Sequence, residues 1–160
     1  MGIARPADGG RIKEVSLENA AGFILEECRM VLPGIQALFG FQLVAVIDDG
    51  FEKLSGTQQL MHLGAIALVV LAIALVMAPA ALHRQAEPET VSERFIWLTS
   101  NLLLAGMFPL MLGICLEVYI VAELITANNA FALALAALFL AVFSTLWIAV
   151  PLREKRRKRA

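Results

Sequence analysis

Between Leu63 and Leu82 the chain contains no polar side chain. Wound as a helix at about 1.5 Å per residue, that run is roughly as long as the hydrocarbon core of a bilayer is thick. A helix that is apolar on every face needs either the centre of a large protein or a membrane, and a chain of 160 residues is small. Three further apolar blocks flank this one, Val31 to Ile47, Phe95 to Ala122 and Ala130 to Leu152. They lift the hydrophobic share to 59%, where soluble domains hold about half. No strand alternation or barrel pattern competes. The sequence therefore predicts an all-α, integral membrane four-helix bundle over residues 30–152, with spans at 31–47, 63–82, 95–122 and 130–152.

Charge placement predicts the orientation. Arg5, Arg11, Lys13 and Arg29 precede the first span, Arg84 and Arg94 lie between the second and third, and six bases follow the fourth. Of the 13 Lys and Arg residues, Lys53 alone falls on the opposite side. The basic side is expected to be cytoplasmic, with both termini there. In the N-terminal segment, 1–29, the stretch from Lys13 to Arg29 interleaves apolar residues with Glu14, Glu18, Glu26 and Glu27. It reads as an amphipathic helix lying on the inner leaflet, or as a cytoplasmic extension of the first span; burial of Glu26, Glu27 and Arg29 would be costly, which favours the interfacial form. Pro33 and Gly34 mark the expected bend. The first ten residues and the basic tail, 153–160, read as disordered, and the tail as a contact for anionic lipid. No signal peptide and no myristoylation motif is read at the N-terminus. Cys28 and Cys115 fall at different depths, so no bridge between them is expected.

Helices in lipid associate through small residues and polar contacts. Ala67, Ala74, Ala78 and Ala81 form one candidate seam, and Ala130, Ala134, Ala137, Ala141 and Ser144 another. Gly106 and Gly113 lie a heptad apart on the third span. Gln36, Gln42 and Asn101 are candidate polar contacts between helices or subunits. Trp97 and Trp147 read as interfacial anchors, and Pro151 as the end of the last span.

Glu117 stands out, because an ionisable group within a span is costly and faces the bundle interior or a water path. It shares a helix face with Gly113 and Gly106, which points it into a seam. Together with His62, Asp48, Asp49 and Glu52 on the outer side, it suggests a site for a cation or a proton. The other reading is a hydrated carboxylate bonded to a neighbouring helix. The spacing matches no known metal motif. His62 and His83 lie at opposite ends of one span, so they cannot form an axial pair within one chain, which argues against haem; no other cofactor is indicated. At the inner surface Glu26, Glu27, Arg29, His83 and Arg84 suggest an ion-pair cluster.

The stretch from Glu27 to Leu43 (ECRMVLPGIQALFGFQL), with the segment from Met61 to the Ala-Pro-Ala-Ala-Leu run before His83 and Arg84, resembles a family of small four-span bacterial membrane proteins of unknown function. The resemblance covers Leu25 to Glu123. It implies a bacterial inner membrane and the same helix count. It brings no substrate, so it assigns no role to Pro33, Gly34, Gln36, Gln42, His83 or Arg84.

No nucleotide-binding, nucleophile or zincin motif is present, so an enzyme has no positive support in the sequence. Nucleic acid is not an expected partner. The expected function is an oligomeric channel or transporter component for cations or protons, the alternative an accessory subunit of a larger membrane complex.

Overall fold

The computed structural model describes residues 16–86 and 91–157. The order is α1 (Leu17–Val46), a short 3-10 turn (Phe51–Lys53), α2 (Gly56–Ala86), α3 (Glu93–Thr126), α4 (Asn129–Ser144), a π turn (Thr145–Ala149) and α5 (Val150–Arg157). There is no strand among the described residues. Four helical stretches, with α4 and α5 counted as one, are long and apolar enough to cross a membrane.

Helices α1 to α4 each begin on a side chain that takes up an orphan N–H group of the first turn. Ser16 accepts from the Asn19 amide, Ser92 from Phe95 at 3.1 Å and Asn128 from Phe131 at 3.1 Å. At α2 the cap is reciprocal: the Gln58 amide N–H donates to the Ser55 hydroxyl at 3.3 Å, and the Ser55 N–H donates to the Gln58 side-chain carbonyl at 2.8 Å. This is a capping box built with glutamine. The link from α3 to α4 turns on Ala127, whose φ of 49° is left-handed. An L-residue there costs roughly 1 kcal/mol.

Helix α1 departs from the expected two-part arrangement. A single 30-residue helix runs through Pro33, so the segment before Arg29 and the first span are one element. Pro33 deprives the Arg29 carbonyl of its usual donor and does not break the helix, as proline in membrane helices often does not. The last helix also continues where an end was expected. It passes Pro151 and carries Arg153 to Arg157 in helical form. The first ten residues and residues 158–160 lie outside the described residues.

The tightest seam joins α2 to α3. Ala65, Val69, Ala72 and Val76 are buried along one face of α2, and Gly106 and Gly113 face them from α3. A Cβ at Gly113 would lie 3.3 Å from the Ala65 carbonyl and 3.2 Å from Val69 Cγ2. At Gly106 it would lie 3.3 Å from both Leu75 Cβ and Val76 Cγ2. The glycines thus let two backbones approach closely. The alanine face expected to pack is a different one: Ala67, Ala74 and Ala81 are exposed and Ala78 is half-buried. Alanine occurs all round α2, so spacing alone does not select its partner face. On α4, Ala130, Ala134, Ala137 and Ala141 are likewise exposed, and Ala132 is the buried residue. Helix α1 closes the core from the side, with Cys28 and Ile35 packed on Val69 and Val76.

Candidate functional site

The close approach at Gly113 brings together polar residues in the half of the bundle next to the Phe51–Lys53 turn. Four residues beyond Gly113 on α3 stands Glu117, and three before Ala65 on α2 stands His62. The His62 Nδ1 atom is 3.0 Å from Glu117 Oε1 and 3.1 Å from Oε2. The third member comes from the end of α1. Gln42 Nε2 donates to Glu117 Oε1 at 2.8 Å, and the Gln42 backbone carbonyl lies 3.0 Å from His62 Nε2. Gln42 and His62 are 3% and 4% exposed, and the Glu117 side chain is 17% exposed. Phe51, in the turn after α1, packs on the imidazole in a T-shaped contact with ring centroids 5.5 Å apart.

Hydrogen-bond chemistry limits the protonation forms of this cluster. A backbone carbonyl can only accept, so His62 Nε2 carries a proton. If Glu117 is a carboxylate, Nδ1 must donate, and the pair is imidazolium and carboxylate. If Glu117 is a carboxylic acid, Nδ1 accepts, and both groups are neutral. The two forms differ by the position of one proton and have the same net charge. Gln42 Oε1 is buried without a hydrogen-bond partner among the described residues. Turning Nε2 toward the carboxylate leaves that oxygen over, at a cost of about 1–3 kcal/mol.

The other expected members of the outer site do not join it. Asp48 accepts from the Gly50 amide at 2.7 Å, a local turn bond. Asp49 and Glu52 are exposed. Carboxylates on this turn keep their hydration, whereas burial beside Glu117 would add unpaired negative charge. Among the described residues no group of three or more His, Cys, Asp or Glu is placed to hold a metal ion. Further along the same seam Gln58 Nε2 donates to Glu123 Oε2 at 3.0 Å, a contact the sequence reading did not foresee.

Of the three amides expected to link helices, Gln42 does so. Asn101 is exposed and donates to the Trp97 carbonyl of its own helix at 2.8 Å, and Gln36 lies on the exposed side of α1. At the opposite end of the bundle, Glu26, Glu27, Arg29 and Arg84 are exposed. No ion pair joins them or His83 among the described residues, where the one ion pair is His62 with Glu117. Charges at a wet surface gain little from pairing. The His83 ring instead lies against Phe95, centroids 5.7 Å apart.

A family model described as a family of unknown function, DUF6328, matches residues 17–151. The chain belongs to this family. The match covers the first three long helices of this DUF6328 protein and the fourth as far as Pro151, and it contains Gln42, His62 and Glu117. No curated protein and no solved structure matches the chain.

Proposed function

We propose that this DUF6328 protein is a multi-pass protein of a bacterial inner membrane, with both termini cytoplasmic, and that it is an oligomeric proton-transport component in which His62 and Glu117 hold the exchanging proton. The observation that carries the reading is the pair of a buried His62 and a part-buried Glu117, with His62 Nε2 fixed on the Gln42 carbonyl. That bond leaves Nδ1 and Glu117 as the positions between which a proton can move. The Gln42 amide suits both states of the carboxyl: Nε2 donates to a carboxylate, and after a flip Oε1 would accept from a carboxylic acid. Glu117 also lines an apolar groove of about 500 Å³ with residues of α1, α3 and α4, among them Leu38, Val121, Phe131 and Phe139. Glu117 therefore lies between the polar cluster, which its carboxyl faces, and a space, lined by its apolar stem, that a neighbouring subunit would close. A proton is favoured over a metal ion because the ligating side chains number two.

The test is flux into liposomes loaded with a pH-sensitive dye and driven by a potassium diffusion potential. Wild-type protein should acidify the lumen faster than protein-free liposomes do. Glu117→Gln, which keeps the shape, an acceptor for Gln42 Nε2 and a donor for His62 Nδ1 but cannot exchange the proton, should return flux to that background. No flux with wild-type protein, or undiminished flux with Glu117→Gln, rules the proposal out.

The accessory-subunit alternative draws on α4, which leaves Ala130, Ala134, Ala137 and Ala141 exposed. Small residues are the usual surface for helix association in lipid. Purification from the native membrane in mild detergent separates the two readings: a stoichiometric foreign partner supports the accessory role, a homogeneous homo-oligomer the transport role.

A further inference from the structure

An apolar groove of about 340 Å³ lies between α3 and the last helix, at the end opposite the polar cluster. Leu104, Met107, Phe108 and Met111 repeat at three and four residues and form one wall. Trp147, Ile148, Pro151 and Leu152 form the other. Pro151 explains the local backbone. It has no N–H to give the Trp147 carbonyl, and the preceding turn widens so that the Val150 N–H bonds Thr145 five residues back. One charged residue lines the groove, Lys155, on a helix that also carries Arg153, Arg156 and Arg157 against Glu154 alone.

We infer that this groove is a binding site for an anionic phospholipid of the surrounding bilayer. An acyl chain lies along the Met107, Met111 and Trp147 surface, and the phosphate meets the Lys155 ammonium. The apolar walls call for a chain rather than a free phosphate. The charge on α5 selects an anionic headgroup over a zwitterionic one, because each basic residue near such a lipid surface strengthens the attraction several-fold. Trp147 suits this depth, with an apolar ring and one polar N–H. The inference is independent of any role for Glu117.

Trp147 gives a direct readout once Trp97, the other tryptophan, is replaced by Phe. The Trp97→Phe protein is reconstituted in phosphatidylcholine vesicles containing either brominated-acyl phosphatidylglycerol or brominated-acyl phosphatidylcholine. Brominated phosphatidylglycerol should quench Trp147 at a several-fold lower mole fraction. Lys155→Gln should cut that preference roughly fivefold, the effect of one basic residue at an anionic lipid surface, while Lys155→Arg retains it and Arg157→Gln changes it little. Equal quenching by the two lipids overturns the inference. So do equal losses in Lys155→Gln and Arg157→Gln, which would mean diffuse attraction to the whole helix. Absence of quenching by either lipid also overturns it, since a second copy would then cover the groove.

Discussion

At the scale of single residues, the His62–Glu117 pair is held by few groups, and each has a separate role. Glu117 shares one proton with His62 Nδ1, the Gln42 carbonyl keeps the other imidazole proton on Nε2, and the Gln42 amide donates to Glu117. Removing one partner of a buried pair leaves the other unpaired, typically at 3–5 kcal/mol, whereas removing both costs less than the two single losses added together. Since the Glu117 side chain is 17% exposed, the lower end applies. His62→Ala and Glu117→Ala should each destabilise the protein by about 3 kcal/mol, and the double variant by about 4 kcal/mol, a coupling near 2 kcal/mol. Unfolding in mixed micelles followed by circular dichroism measures the cycle; additive losses would mean that the two residues do not act as a unit. Glu117 was legible in the sequence because a carboxyl inside an apolar run has few reasons to be there. Its partnership with Gln42 was not. The two lie 75 residues apart, and nothing local to either residue encodes which helix faces will meet.

At the scale of elements, the seam between α2 and α3 sets the spacing of the site. Gly113 and Gly106 are required by close approach to a neighbouring helix, whereas a Cβ at Gly64 would find its nearest neighbour at 3.9 Å, the flexible end of Leu116. Gly113→Ala presses on the Ala65 carbonyl, which is backbone and cannot swing aside. Overpacking of this kind costs about 1–3 kcal/mol. Gly64→Ala should instead be neutral or stabilise by up to about 1 kcal/mol, through helix propensity. The same unfolding measurement compares the two, and equal effects would remove the argument for close packing. Proton flux should fall in Gly113→Ala as well, since His62 and Glu117 lie one turn away on either helix. Four apolar blocks were enough to place four helices, but their ends were harder to read. The sequence pattern began the first span at Val31, favouring a separate helix before it, and ended the last at Leu152, whereas one helix runs from Leu17 and the last reaches Arg157. Proline weakens a helix by local rules, while neighbouring helices and a continuous apolar surface support it through the missing bond. The alanine faces failed for a related reason: when small residues surround a helix, the packed face is decided by the partner, here by the two glycines of α3.

At the scale of the molecule, the proposed activity needs a direction. The antiparallel order of the helices puts the Gln42–His62–Glu117 cluster near the end that carries Asp48, Asp49 and Glu52, and the Lys155 groove at the other. Twelve of the 13 basic residues fall on the groove side or the chain ends, so the positive-inside rule assigns that side to the cytoplasm. The proton pair would then lie close to the outer surface, and a proton entering from outside would reach it before crossing most of the bilayer. Cysteine accessibility tests the assignment. In a chain with Cys28→Ala and Cys115→Ala, both native thiols being buried, a single cysteine is placed at Glu52→Cys or at Glu154→Cys, two exposed positions. A membrane-impermeant maleimide applied to intact cells should label the Glu52→Cys chain and should label the Glu154→Cys chain only after permeabilisation. The reverse pattern would invert the topology. It would put the proton pair next to the cytoplasm and move the basic helix α5 to the leaflet where its charge has least anionic lipid to meet. One labelling experiment therefore fixes the side from which His62 and Glu117 would exchange a proton and the leaflet that would supply the lipid for Lys155.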